Sequence, residues 1–236
     1  MTKKGVQGVM LIVGFFIGQQ LCAKTILETD RLILRTWDIE KDFEVAKRLC
    51  QDPQILKTFL KPLSDTQVRQ FLKQENRDIK VNGFGRYACV SKETGQVVGV
   101  VGLLHSEWVP TLPWITLGYR MLPEHQRYGY AKEAVKAVIQ HGFEVCGLYE
   151  IGCYIDYRNE ASLAFLAKVG KPLGVKEQKN YFVNTYGYRL FVVSYTDWRK
   201  KQHTRRGYSV DTLQDSIRRN LVKRYFFSKC SYNIDF

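Results

Sequence analysis

The chain has 236 residues, 45% of them hydrophobic, which suits one ordinary domain with extensions and a packed core; an aromatic content of 13% excludes disorder throughout. A formal net charge of +13 favours anionic partners, whether phosphate-bearing ligands, acidic substrates, RNA or an anionic membrane, without choosing among them. The six cysteines form no C-x-x-C pair and the four histidines are scattered, so no metal site is expected and buried free thiols in a reducing compartment are the simpler reading.

Residues 1–24 open the chain as an apolar leader, with Lys3 and Lys4 before an apolar run at 9–18 and small residues after it. The run is shorter than the roughly 20 apolar residues of a membrane span. An export signal, an uncleaved anchor and a leader added by an early start codon all fit it. Residues 25–36 read as a first strand, in which Leu32 and Leu34 alternate with charged neighbours. Residues 40–51 follow helical spacing, and a second helix starts at Asp65, with Ser64 or Asp65 as N-cap and Asn82-Gly83 as the turn after it. Strands are expected at 87–91 and 97–104 around a hairpin turn at 92–95. Pro110 and Pro113 precede a strand at 114–121, followed by a turn and a helix at 131–146. A strand at 150–156, a helix at 159–169 stopped by Gly170 and Pro172, and a closing hairpin of 181–184 with 190–195 complete the domain, placed at 25–202. Residues 203–236 form a basic extension, in which 209–226 has the spacing of a basic amphipathic helix. The order of elements gives an α+β fold.

The turn between the strand at 114–121 and the helix at 131–146 is the most informative stretch. Gln126, Gly129 and Ala131 stand in it at spacings of three and two. Glycine lets a backbone approach a ligand closely, and a helix starting there aims free N–H groups and a positive dipole end into the turn. That makes an anion site, usually for phosphate. The spacing is neither the P-loop nor the dinucleotide fingerprint.

With Leu117 to Pro123 before the turn, and His141 to Leu148 and Asn159-Glu160-Ala161-Ser162 after it, the chain resembles the GNAT superfamily of acyl-CoA-dependent N-acetyltransferases. Leu27 to Arg35 and Tyr188 to Trp198 are similar to the opening and closing segments of its ribosomal-protein N-terminal (alanine) acetyltransferase branch. The resemblance implies a mixed, largely antiparallel sheet of six to seven strands with helices on both faces. It implies acetyl-CoA as co-substrate, no metal, and a primary amine as acceptor, either a protein N-terminus or a small molecule. An acetyl-CoA enzyme is expected in the cytoplasm, with membrane association through 9–18 and export left open.

The resemblance also implies roles for residues. Pantetheine would lie beside 114–121, contacting the backbone of Tyr119 and Met121, one of whose N–H groups would steady the oxyanion. The pyrophosphate would sit on Gln126, Arg127, Tyr128, Gly129, Tyr130 and Ala131, with Lys132 adding charge or merely facing solvent. Asn159 would bind the pantetheine amides or cap the next helix, and Ser162 would touch the CoA arm or face the helix dipole. Two usual catalytic positions hold Thr116 and Leu166, neither of which takes a proton from an amine at neutral pH. His105 and Glu107, just after a strand near the expected acceptor mouth, are the alternative bases. Direct transfer in a ternary complex is expected, because no cysteine sits in a nucleophile motif. The competing readings are a CoA-binding protein without catalysis and a ribosome or nucleic-acid binder using the basic tail.

Overall fold

The computed structural model describes residues 23–56, 61–105, 115–178 and 187–206, with side chains to 202. Residues 1–22 of the leader, Glu107, the expected strand at 181–184 and the basic extension beyond 206 lie outside the described residues.

The elements run β1 (Thr25–Glu28), β2 (Leu32–Arg35), α1 (Phe43–Gln51), α2 (Pro53–Leu56), α3 (Asp65–Asn82), β3 (Arg86–Ser91), β4 (Val97–His105) and β5 (Ile115–Met121). After a 3₁₀ turn at Pro123–His125 come α4 (Tyr130–Glu144), β6 (Glu150–Asp156), α5 (Glu160–Gly170), β7 (Lys176–Gln178), β8 (Tyr188–Ser194) and α6 (Tyr195–Arg206). The eight described strands form one sheet in the order β1-β2-β3-β4-β5-β6-β8-β7. All neighbours are antiparallel except β5 and β6, which the crossover helix α4 makes parallel. The single strand expected at 25–36 is two strands. A turn at 29–31, closed by Thr29 N–H donating to the Leu32 carbonyl, folds the segment on itself. Local alternation continues through that turn, so periodicity alone hides it.

Local chemistry explains the element ends. Ser64 and Gln67 make a reciprocal capping box at the start of α3, and Gly83, at φ 80°, ends it with its N–H on the Ile79 carbonyl. The Asn82-Gly83 turn is thus a helix cap. Helix α6 runs through 202, so the expected boundary of the catalytic unit falls inside a helix.

The sheet has two covered faces. On one, Leu32, Leu34, Val101, Leu103 and Leu117 pack under Val135, Val138, Ile139 and Phe143 of α4. On the other, Ala88, Val90, Val97 and Val100 pack under Trp37 and residues of α1 and α3 such as Leu49 and Leu72. Full burial of one such side chain contributes about 1.5–3 kcal/mol. The two faces therefore clamp β4 and β5 in the centre of the molecule, which is where the site lies.

Candidate active site

β4 and β5 pair from Gly99↔Met121 to His105↔Ile115. Among the described residues β5 and β6 pair only at Thr116↔Gly152. Beyond that point the parallel strands separate, and the β6-facing backbone of Leu117–Met121 borders a slot. The Met121 carbonyl accepts from Gln126 Nε2 at 3.2 Å, which ties the slot's far end to the turn that follows. Tyr119 turns its ring toward α5, with its centroid 4.8 Å from that of Phe165. Its hydroxyl is buried without a full hydrogen bond. Burial pushes the phenol well above its ordinary pKa, and the nearby Ser162 hydroxyl offsets this only in part. Tyr119 and Phe165 join β5 to α5 on the α4 side of the slot.

The turn is built for close approach. Arg127 and Gly129 both adopt positive φ, 68° and 83°. Gly129 is the N-cap of α4, and no side chain caps that end. The first-turn N–H groups of Tyr130, Ala131 and Lys132 consequently have no capping partner. Arg127 and Lys132 are exposed beside them. A carboxylate in this first turn, Glu133, would oppose a bound anion if it faced inward. Instead it turns away, to the β1–β2 turn. Its Oε1 accepts from Thr29 Oγ1 and from the Arg31 N–H at 2.8 Å, and its Oε2 accepts from Arg31 Nε at 2.8 Å. Arg31 also donates to the Tyr128 carbonyl at 3.0 Å and lies 5.0 Å from the Tyr130 ring centroid. Burial pushes the Glu133 carboxyl up, but the bonds from Thr29 and Arg31 outweigh it and hold the carboxyl below its ordinary value. Glu133 and Arg31 brace the turn. Neither residue stood out in the sequence for this role, because the two lie about a hundred positions apart.

Asn159 caps α5, its side-chain oxygen accepting from Ser162 N–H at 3.2 Å, which leaves its amide N–H₂ free of that duty. Thr116 and Leu166 are both buried. Strand alternation puts Thr116, Gly118 and Arg120 on the α1/α3 face of β5, and Leu117, Tyr119 and Met121 on the α4 face. His105 pairs with Ile115 and packs its ring 5.4 Å from that of Phe84, so it is on the α4 face, opposite Thr116, and exposed. On the α1/α3 face beside the slot, Tyr154, Leu190 and Val192 form a small apolar platform. Arg120 reaches across that side to donate to the Leu49 carbonyl at 2.8 Å, and Arg48 forks onto Glu124 at 2.8 and 3.0 Å. The end of α1 is thereby fastened both to the slot strand and to the turn.

A family model described as an acetyltransferase (GNAT) domain matches residues 31–171, more than half of the chain. The chain belongs to the GNAT acetyltransferase family. An uncharacterized N-acetyltransferase of Bacillus subtilis, YoaA, is 31% identical over 165 residues, covering 66% of this chain and 88% of its own. Among solved structures, a putative ribosomal-protein-serine acetyltransferase from Vibrio cholerae superposes with a TM-score of 0.54 at 23% identity, covering 72% of this chain and 97% of its own. A spermidine N-acetyltransferase from Vibrio cholerae, in complex with CoA and spermine, superposes with a TM-score of 0.55 at 17% identity, covering 72% of this chain and 99% of its own. These likenesses are of fold. The GNAT family uses acetyl-CoA, and the residues present fit it. The slot has unpaired strand edge for pantetheine, and the uncapped α4 terminus with Arg127 and Lys132 offers N–H groups and cations for pyrophosphate. Among the described residues no cluster of metal-ligating side chains occurs.

Proposed function

We propose that this GNAT acetyltransferase moves the acetyl group of acetyl-CoA to a primary amine by direct transfer, with both substrates bound together. The observation that carries this reading is the pairing of a strand slot that opens at Thr116↔Gly152 with an uncapped helix terminus at Gly129. In it, pantetheine lies along Tyr119 and Met121, the pyrophosphate rests on Gln126 to Ala131, and Asn159 gives its free amide N–H₂ to the pantetheine arm. A backbone N–H of Tyr119 or Met121 steadies the oxyanion.

Direct transfer is supported by the thiols. Burial pushes Cys89 and Cys153 up to about 12 and Cys146 up to about 11, and raises Cys50 as well. None of these four is a thiolate nucleophile at neutral pH. The acceptor is a peptide N-terminus or a small amine; the named neighbours include a putative ribosomal-protein-serine acetyltransferase and a spermidine N-acetyltransferase. A terminal α-amine, with its lower pKa, needs the least help to lose a proton. We place the reaction in the cytoplasm, where acetyl-CoA is made. Among the described residues no helix is long and apolar enough to cross a membrane. The basic extension is assigned to docking on anionic surfaces or RNA.

The test is thiol release from acetyl-CoA against a panel of peptides and small amines, including spermidine. Release that depends on added amine supports the reading. A second reading, a CoA binder without catalysis, is favoured by the buried Thr116 and Leu166 at two usual catalytic positions. It predicts CoA binding with no amine-dependent release.

A further inference from the structure

One carboxylate near the slot stands apart from the rest. Among the described residues, Asp42, Glu75, Glu133, Asp156 and Asp197 are buried or half-buried, and each holds a cation. Asp38, Asp52 and Asp78 are half-buried, and each accepts a bond from an amide group. Glu150, the first residue of β6, is half-buried and has neither. Its carboxylate oxygens, unlike the hydroxyls of Tyr87 and Tyr119, are not sealed from water. With no cation or amide holding them, they are open to a partner that arrives from outside.

Register shows where Glu150 faces. Thr116 and Gly152 are direct partners, so their side-chain directions match, and Glu150 is two residues earlier on the same strand. Ile151 packs in the α4-side core, which puts Glu150 on the opposite face, with Thr116 and Tyr154. Two residues of strand span roughly 6–7 Å, so the carboxylate base lies that far from the point where the slot opens. Gly152 between them carries no side chain to block the path. On the same face, Ser194 of β8 stands opposite Glu150 and Thr116 of β5 lies one ladder step further along; both are uncharged.

We propose that Glu150 is the proton acceptor for the incoming amine, resting on the transferase reading above. The ammonium gives one proton to a Glu150 carboxylate oxygen, directly or through one water. The freed lone pair forms the C–N bond at the thioester carbonyl carbon, and the C–S bond breaks with its electron pair on sulfur. The remaining surplus proton on nitrogen passes to that thiolate, and Glu150 returns its proton to solvent. Burial alone raises the Glu150 carboxyl above the ordinary glutamate range, with no charged neighbour contributing. That suits a base working near neutral pH.

The experiment compares wild type with Glu150→Gln, using acetyl-CoA and the best amine of the panel. Glutamine keeps the shape and breaks no existing bond, so the variant folds. The expected result is a loss in kcat of about 10²–10⁴-fold with unchanged calorimetric affinity for acetyl-CoA, and loss of the acidic limb of the pH–rate profile. The melting temperature should rise at neutral pH. A carboxyl whose folded pKa is raised lends stability below the unfolded value, and loses it as pH climbs through the folded one. The gain from glutamine should therefore shrink to nothing below the ordinary value of 4.5. A Glu150→Gln enzyme with wild-type kcat and pH profile overturns the assignment alone. A wild-type protein that binds acetyl-CoA but acetylates no amine overturns the transferase reading and the assignment together.

Discussion

Replacing Gly129 with glutamate tests the phosphate site most directly. Gly129 sits at φ 83°, and a left-handed conformation costs an L-residue about 1–2 kcal/mol. A Cβ there would stand 3.3 Å from Arg31 Nη2, the end of a side chain that can give way. The new carboxylate would add a negative charge to the turn proposed to hold the diphosphate, beside Arg31. At about 5 Å and an effective dielectric near 20, repulsion per unit charge is about 3 kcal/mol. Partial pairing of the new carboxylate with Arg31 takes some of this back. A net loss of about 2–3 kcal/mol remains, which weakens CoA binding about 30- to 150-fold. Gly147→Glu is the control. That glycine is also left-handed, at φ 68°, with nothing within 4 Å of its would-be Cβ, so it pays the backbone cost without touching the site. Calorimetry with CoA and with pantetheine separates the contributions, because pantetheine has no phosphate to repel. A folded Gly129→Glu protein with wild-type CoA affinity would refute the assignment of the turn.

Glu133→Gln should lower stability by about 1 kcal/mol at neutral pH, a modest figure because Arg31 is half exposed. The Glu133 carboxyl is held below its ordinary 4.5 by its bonds, so its contribution is full above that value and is lost as pH falls through the folded one. Denaturant unfolding at neutral pH and then at successively lower pH should show the difference and then its disappearance. Asn159→Asp keeps the oxygen that caps α5 but removes the amide donor, so it should hold stability while weakening acetyl-CoA binding, whereas Asn159→Ala should also lose about 1 kcal/mol in denaturation. Residues 23–206 expressed alone should fold and bind CoA by calorimetry, since α6 reaches Arg206 and Trp198 is packed in the α4-side core.

Much of this architecture was legible in the residues. The N-cap at Ser64 or Asp65 and the turn before α4 have fixed local chemistry, and the structure puts element ends within a few residues of both. The split between β1 and β2 was not legible. The bond that closes the turn is local, but the clamp on it is tertiary: Thr29 and Arg31 are held by Glu133, about a hundred positions away. The same distance hid the brace on the turn. His105 was singled out by nearness along the chain to the acceptor mouth, but the sheet face on which a side chain lands follows from register, and register needs the partner strand. Glu150 was unreadable for the complementary reason. A glutamate at a strand start looks ordinary until every comparable acid is seen to have a partner.

Among the described residues a single pair joins β5 to β6, and this has a mechanical consequence. The sheet is two half-sheets, β1–β5 and β6–β8–β7, meeting at Thr116↔Gly152. Side chains bridge that seam where backbone does not, for example Phe143 against Tyr195 and Trp198 at 5.9 and 5.4 Å between ring centroids. A ligand that lies in the seam as an extra strand supplies hydrogen bonds the protein lacks. Amide hydrogen exchange should therefore be fast along the β6-facing edge of β5 in the free protein, and slow there when acetyl-CoA is bound. At a hundred times its dissociation constant the ligand adds about 2.7 kcal/mol to global stability. The local protection should be concentrated at this one seam, because the α4-side core already spans both halves without the ligand.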